Sequence, residues 1–257
     1  MNWPVLIHLP AIAPVVAKVH TIHGALYWIL EIPQGIFWIY AYIMLIQRAA
    51  VDKFVGMPVV ALGLNYGWEF VFAFILPNPP TQKMVDVAWV GLDTLILVQA
   101  LKYGRKDYLS FPARAFPAAL LSLVAYGTLL QLAAGYEFAD YYGIYGSFGV
   151  NAYMSYAFIA MLRRRKSSAG QSMHVAISKC IGSATVGVMF FVMFPGRLLL
   201  SLLAVTVLAF DLVYIRLLYR QIRSEGASPW VVSRPPVILA AASEPLHDLG
   251  TRKAGIR

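Results

Sequence analysis

The chain has 257 residues, of which 60% are hydrophobic and 13% are charged, and its formal net charge is +9. Because soluble proteins carry charge on about a quarter of their residues, this composition excludes a water-exposed surface around most of the chain. The single cysteine excludes an intramolecular disulfide framework. The positive charge lies in short clusters between long uncharged stretches, which is typical of the flanks of membrane spans rather than of nucleic-acid binding.

Residues 1–23 mix prolines and histidines with apolar residues, and they lack the basic start and the cleavage site of a signal peptide. We predict that this segment lies at the membrane interface and does not cross it. His20 and His23 have a spacing that a metal could use on a helix, but two histidines without further ligands are usually not a metal site. No metal or other cofactor is therefore predicted.

Seven apolar segments follow, each close to the roughly 20 residues that a helix needs to cross about 30 Å of hydrocarbon. They cover residues 25–46, 57–76, 84–101, 115–134, 145–162, 175–194 and 198–219. In the resulting topology thirteen Lys and Arg residues fall on one side and three on the other. Because short cytoplasmic loops collect positive charge, we expect the N-terminus outside or in a lumen and the C-terminus in the cytoplasm.

This pattern predicts an all-α membrane protein, a bundle of seven transmembrane helices. The transmembrane domain covers residues 24–220, and the polar residues 221–257 are predicted to form a largely disordered cytoplasmic tail. The protein is expected in a bacterial inner membrane or in the endoplasmic reticulum, in contact with lipid and without a nucleic-acid partner.

Acidic residues within the apolar segments are the strongest functional signal. An ionised group at bilayer depth costs at least about 2.5 kcal/mol, so an acid there predicts a function. A carboxylic acid that stays neutral in such surroundings can protonate a substrate; the structural alternative is a hydrogen bond between helices. The candidates are Glu31, Glu69, Asp86, Asp93 and Asp211, of which Asp86 lies near enough to the interface to be solvated.

Aromatic residues crowd around two of these acids. Trp68 precedes Glu69 directly, Tyr214 follows Asp211 by about one turn, and Asn65 lies four residues before Glu69 and so on the same helix face. Ring faces stabilise a desolvated cation by about 2 kcal/mol or more.

Several other functions lack the residues they need. There is no aspartate-rich cluster that would hold magnesium on a diphosphate, and no nucleotide-binding, zincin or hydrolase motif. A retinal-binding protein would need a lysine deep in its last helix, where this chain has Asp211. Lys179, near the basic end of the sixth segment, is expected to extend its ammonium group to the interface.

The order of motifs resembles the small integral-membrane terpene cyclases of fungal meroterpenoid and indole-diterpene pathways and their bacterial relatives. The similarity covers most of residues 25–220. The segments that carry it are the acidic, aromatic, Gly-Met-Pro turn at 52–58, the N-x-x-W-E pattern at 65–69, the W-x-x-x-D pattern at 89–93, the basic loop with Gly-Gln-Ser at 163–172, Ile181-Gly182, and D-x-x-Y at 211–214.

The resemblance implies a metal-independent cyclase, of the lyase or isomerase type, in which Glu69 and Asp211 are catalytic. Its substrate would be a prenylated acceptor, farnesyl or geranylgeranyl, that is protonated at an epoxide or at a terminal alkene. We expect both acids to face one cavity. The predicted substrate contacts are Asn65, Tyr66, Trp68, Asp93, Tyr214 and Glu31. The alternative is a small proton-coupled transporter or a membrane scaffold that uses the same acids.

Overall fold

The computed structural model describes residues 24–76, 78–140 and 142–237, and within these ranges it is helical with no β-strand. The predicted N-terminal segment with its two histidines, and residues 238–257 of the predicted tail, lie outside the described residues. The helices are α1 Gly24–Asp52, α2 Val59–Phe70, α3 Pro80–Tyr103, α4 Phe116–Glu137, α5 Ile144–Arg165, α6 Met173–Met193 and α7 Leu198–Ser224. A π-helical turn, Val71–Ile75, continues α2.

The predicted segments each overlap one helix, but several helices extend further at the ends that carry charge. Helix α1 ends at Asp52 rather than at 46, and α5 ends at Arg165 rather than at 162. Helix α7 continues to Ser224, which lies inside the segment predicted as a tail. The apolar stretch marks only the part of a helix in hydrocarbon, whereas the helix itself continues into the interface.

Five of the helices in the described ranges are long and apolar enough to cross a membrane, namely α1, α3, α4, α6 and α7. Helix α2 with its π-helical turn is shorter, and α5 carries buried Asn151 and Ser155 and ends in three arginines. The crossing of all seven helices and the orientation of the termini stay predictions. Large apolar side chains such as Leu129 and Leu202 are exposed on the outer faces, as lipid contact requires.

The helix contacts close into a ring. Six of the helices in the described part of the chain follow one another around it in the order α1, α3, α2, α5, α7, α6, with α6 in contact with α1 again. Helix α4 lies outside this ring and packs mainly against α2.

Glycines bring the backbones of α2 and α4 into direct contact. A Cβ atom at Gly67 would lie 2.4 Å from the carbonyl carbon of Gly127, and a Cβ at Gly127 would lie 2.3 Å from the carbonyl oxygen of Gly63. Small residues at such a crossing allow the close van der Waals packing that drives helix association in lipid. This contact fixes α2, which carries Asn65, Trp68 and Glu69.

The two ends of the bundle differ. We call the end formed by residues 48–59, 102–116, 163–173 and 216–237 the basic end, and the other, formed by residues 24–30, 78–82, 142–146 and 190–200, the opposite end. Toward the basic end the ring is filled by apolar side chains, including Met57, Leu62, Ile96, Met154 and Leu218. Toward the opposite end its interior is hollow.

Candidate functional site

The hollow half of the bundle holds a cavity of about 1120 Å³, including the space at its mouth. Five helices line it: the first two thirds of α1, the end of α2, the start of α3, the start of α5 and the end of α6. The residues of α1 that face it, Glu31, Gln34, Trp38 and Tyr42, follow the spacing of one helix face. Its lining is mostly apolar with a few polar side chains, which is the composition of sites that bind apolar ligands.

Most of the cavity wall is aromatic or apolar. The rings of Trp38, Trp68, Trp89, Phe148 and Phe190 line it, and Trp68 and Phe72 pack with their ring centroids 5.0 Å apart. Met189 and Met193 of α6, and Phe194 directly after it, complete the apolar wall near the mouth. Such a wall excludes water and presents ring faces to any cation formed inside.

Polar side chains lie at two levels of the cavity. Near the mouth, Asn78 and Gln82 donate hydrogen bonds of 2.7 Å to the two carboxyl oxygens of Asp86. The expectation that Asp86 is solvated is wrong, because these two amides replace water around a fully buried side chain. Deeper in the bundle, Glu69 and Asn65 reach the cavity from α2 and Tyr42 reaches it from α1. The cavity therefore has a polar mouth and a polar group at depth.

Glu69 is the centre of the deep polar group. Its Oε1 accepts hydrogen bonds from the Tyr42 hydroxyl at 2.5 Å and from Asn65 Nδ2 at 2.8 Å. The same amide nitrogen lies 2.9 Å from Asp93 Oδ2 and 2.7 Å from the Tyr42 hydroxyl oxygen. The sequence prediction that Asn65 lies beside Glu69 is confirmed, and Asp93 joins them from α3.

Two carboxyl oxygens of this group have no hydrogen-bond partner among the described residues. They are Glu69 Oε2 and Asp93 Oδ1, and both are fully buried. Buried polar atoms are seldom left without a partner. Because Glu69 lines the cavity, its free oxygen marks a candidate place for chemistry or ligand binding, whereas Asp93 is not among the described lining residues.

The backbone around Glu69 is shaped by the π-helical turn that begins two residues later. Trp68 turns toward α5, where its indole nitrogen donates to the carbonyl of Gly143 at 2.9 Å. Gly143 has a φ of +66°, and a Cβ there would lie 2.4 Å from the Trp68 nitrogen. π-Helical turns occur frequently at functional sites because they shift the side chains around them.

The loop before α5 is fixed by Asp140, which accepts hydrogen bonds from the backbone nitrogens of Ile144 at 2.8 Å and Gly146 at 2.7 Å. Burial raises the pKa of Asp140 above its ordinary value, and the backbone N–H groups partly oppose this shift. The loop thereby holds the start of α5, and with it Ile144, Ser147 and Phe148, in the cavity wall.

Asp211 is not among the described residues that line this cavity. It lies behind the wall, where both of its carboxyl oxygens accept hydrogen bonds from Lys179, at 2.8 and 3.0 Å. Lys179 also donates to Ser155 at 2.6 Å. The expectation that Lys179 extends to the interface is wrong, because its side chain is only 2% exposed and is ion-paired with Asp211.

The predicted substrate contacts also divide into residues that line the cavity and residues that do not. Trp68, Asn65 and Glu31 line the cavity. Asp93 is not among the described lining residues and reaches the site through its hydrogen bond with Asn65. Tyr66 lies 3.2 Å from the Thr94 hydroxyl and Tyr214 donates to Gln171 at 2.9 Å; neither is among the described lining residues. Tyr66 lies on another face of α2, and Tyr214 lies toward the basic end, so helix position rather than residue type separates them from the cavity.

Several motif residues form a network at the basic end instead. Asp52 binds Arg48 and also accepts hydrogen bonds from the backbone nitrogens of Gly170, at 2.7 Å, and Val237, at 2.9 Å. Ser172 caps α6 by accepting from the backbone nitrogen of His174, as expected for a helix start. These residues tie the loops and residues up to 237 together, far from the cavity.

Sequence reasoning did not identify Tyr42, Trp38 or Asn151 as parts of the site. Tyr42 and Trp38 lie four residues apart on one face of α1, but nothing in α1 alone indicates that this face meets Glu69. Within the described residues, no group of three or more His, Cys, Asp or Glu side chains is placed to hold a metal ion.

Comparison with known proteins gives consistent results. A family model described as Pyr4-like transmembrane terpene cyclases matches residues 17–225. The Pyr4-family terpene cyclase mfmH of Annulohypoxylon moriforme is 30% identical over 166 residues, which cover 63% of this chain and 68% of the relative. The terpene cyclase pyr4 of Aspergillus fumigatus is 26% identical over 172 residues, with 64% and 70% covered. No solved structure gives a significant match.

A third relative, the terpene cyclase terB of Tolypocladium album, is 27% identical over 210 residues, which cover 76% of this chain and 86% of the relative. The family match includes all seven helices named above, and with them the cavity and its carboxyl groups. The resemblance predicted from the motifs is thereby confirmed. The chain belongs to the family of Pyr4-like transmembrane terpene cyclases and is a membrane terpene cyclase.

Proposed function

We propose that the protein cyclises the prenyl chain of a prenylated acceptor and that Glu69 starts the reaction by donating a proton. One observation carries this proposal: Glu69 Oε1 accepts two hydrogen bonds, whereas Oε2 is buried without a partner in the described residues. When the carboxyl group is neutral, its hydrogen belongs on Oε2, because Oε1 is already occupied. That hydrogen is then free for a substrate in the cavity.

The chemistry is an isomerisation. The O–H bond of Glu69 breaks and the proton goes to the oxygen of a terminal epoxide, whose C–O bond opens to a tertiary cation; with an unepoxidised chain, the proton goes to the terminal alkene. Successive double bonds attack the cation and form C–C bonds. The last cation loses a proton to a base, so the product has the mass of the substrate. A proton returned to Glu69 completes the cycle.

The neighbours of Glu69 support this proton chemistry. Tyr42 has one hydroxyl hydrogen and Asn65 has two amide hydrogens, which are too few for the four oxygens of two carboxylates. A proton held by Glu69 or Asp93 supplies a missing donor and avoids two adjacent negative charges. Asp93 is thus proposed as the group that shares the proton, with Asn65 as the bridge.

The walls support the later steps. Trp38, Trp68, Trp89 and Phe148 surround the space next to Glu69, so cations formed during ring closure meet aromatic faces. The surrounding apolar side chains keep water from trapping these cations.

The polar mouth supports one orientation of the substrate. Asn78 and Gln82 direct their amide nitrogens at Asp86, which leaves their amide oxygens to accept hydrogen bonds from hydroxyl groups. Glu31 and Gln34 line the same region. The acceptor would therefore stay at the mouth while the end of the prenyl chain extends to Glu69.

The proposed topology has seven crossings, with the opposite end outside or in a lumen and the basic end in the cytoplasm. Among the described residues the only basic side chains at or next to the opposite end are Lys83 and Arg197, which supports this orientation. Residues 24–220 form the catalytic domain, 1–23 an interfacial segment and 221–257 a cytoplasmic tail, in an inner bacterial membrane or the endoplasmic reticulum.

The test uses membranes that contain the full chain, incubated with farnesylated and geranylgeranylated aromatic acceptors, each with and without a terminal epoxide. We expect products of unchanged mass and shifted retention. Glu69→Gln should lower their formation by about 100-fold or more, since general acid catalysis contributes about that much. Glu137→Gln makes the same change on the exposed end of α4 and should behave like wild type.

Equal turnover by Glu69→Gln and wild type would contradict the assignment of the acid. Movement of the compounds across sealed vesicles without any isomerised product would contradict the cyclase mechanism and favour a proton-coupled transporter.

A further inference from the structure

A buried ion pair lies directly behind the cavity wall and takes no part in the proton transfer proposed above. Lys179 on α6 and Asp211 on α7 have relative exposures of 2% and 1%. In hydrocarbon, a charge without a counter-ion is costly, and removal of one member of a buried pair is more harmful than removal of both. Each side chain therefore depends on the other.

The pair reaches the cavity wall at two places. The Lys179 ammonium lies 5.8 Å from the centroid of the Trp38 ring, which is a cation–π distance, and Trp38 lines the cavity. Lys179 also donates to Ser155, whose hydroxyl donates to the backbone carbonyl of Asn151 at 2.9 Å. Asn151 lines the cavity as well.

The hydrogen bonds of Asp211 are unlike those of Glu69. Both of its oxygens are engaged by one ammonium group, and it is absent from the described lining of the cavity. Glu69, in contrast, lines the cavity and keeps one oxygen free. A carboxylate chelated in this way serves as a counter-ion, and any substrate in the cavity is separated from it by the wall.

We propose that Asp211 and Lys179 act as one positioning unit for the cyclisation cavity. Asp211 neutralises Lys179, Lys179 holds Trp38 and the Ser155–Asn151 segment of the wall in place, and neither residue exchanges a proton with the substrate. This proposal rests on the cyclase function proposed above, and it assigns a role to Lys179 that the sequence motifs do not indicate.

The first part of the test removes one charge at a time. Asp211→Asn and Lys179→Met should each lower cyclisation by about 100-fold, because a wall displaced by about 1 Å misplaces the reacting chain. Lys83→Met changes an exposed lysine on α3 and serves as the control.

The second part removes or exchanges both charges. Lys179→Met combined with Asp211→Leu leaves no unpaired charge, and Lys179→Asp combined with Asp211→Lys restores the pair in reverse. We expect each double variant to recover at least about a tenth of the wild-type kcat, as replacement of a buried pair is tolerated better than its disruption. We also expect the Met/Leu variant to release more partly cyclised product, since Trp38 has lost its ammonium neighbour. A purely structural role would restore the wild-type product ratio.

The proposal is overturned if both double variants are as inactive as Asp211→Asn, whether they accumulate in membranes or not, because it requires that paired changes preserve both fold and chemistry. It is also overturned by a wild-type product ratio in an active Met/Leu variant. Failure of the cyclase function is distinct: wild type itself would then give no isomerised product.

Discussion

The Glu69 carboxyl group has two unlike oxygens, and this asymmetry depends on Tyr42. The Tyr42 hydroxyl donates to Oε1 at 2.5 Å, and its oxygen lies 2.7 Å from Asn65 Nδ2, so it contacts both neighbours at once. Without it, Asn65 alone would fix the carboxyl group, and the free oxygen would no longer point in one direction.

Tyr42→Phe should therefore lower kcat by about 10- to 100-fold, because a misdirected proton donor loses most of its advantage. The KM should change less, since the ring that lines the cavity remains. The two constants are measured in membranes against Tyr126→Phe, which removes an exposed hydroxyl on α4. A kcat equal to that of the control would show that Glu69 needs no help from Tyr42.

For individual residues, the sequence predicted contacts within a helix better than contacts between helices. Asn65 and Glu69 are four residues apart, so their proximity follows from helix geometry. Lys179 and Asp211 are separated by 32 residues on different helices, and no local pattern indicates that they meet. We expected Asp211 to face the cavity, but both of its oxygens accept hydrogen bonds from Lys179 instead.

Helix α2 depends on its contact with α4 more than on its own length. It is the short helix of the ring, and its glycines face those of α4 at distances that leave no room for a methyl group. The position of Glu69 in the cavity wall is thus set from outside the ring.

Gly127→Ala should destabilise the protein by about 1–3 kcal/mol through overpacking, since the added Cβ would meet the backbone of α2. The resulting shift of α2 should also slow cyclisation. Thermal unfolding in detergent and turnover in membranes measure the two effects. Gly91→Ala, where a Cβ meets nothing within 4 Å, is the control; equal stability of the two variants would exclude a tight crossing.

The positions of the helices could be predicted from the sequence, whereas their neighbours could not. Apolar length and charged flanks determine where each helix lies along the chain. Gly63 and Gly67 share one face of α2, but the partner of that face depends on packing across the whole bundle. The ring order and the place of α4 outside it therefore emerge only from the structure.

At the scale of the described bundle, the network of hydrogen bonds and ion pairs lies at the basic end and the cavity lies toward the opposite end. The basic end is joined by the Asp52 network and by Arg234, a buried residue that donates to the carbonyl of Gln171 at 3.0 Å. Arg48 in turn donates to the carbonyl of Arg234 at 2.6 Å. Burial lowers the pKa of Arg234, as does the adjacent charge of Arg48.

Arg234→Gln should lower the melting temperature by about 2–4 °C, which corresponds to the loss of roughly one hydrogen bond in a chain of this size. The product ratio should stay that of wild type, because the cavity lies toward the other end. Arg220→Gln, on an exposed position of α7, provides the comparison. A changed product ratio with unchanged melting would contradict the separation of the two ends.

Because the half toward the opposite end is hollow and the half toward the basic end is filled, the two halves can change independently during evolution. Substitutions of Phe148, Met189 or Phe190 can alter the shape of the chamber, and so, on the proposed function, the ring system that forms in it, while the contacts at the basic end are left intact. New products then become accessible with little risk of losing the fold, which gives such a small enzyme wide scope for chemical diversification.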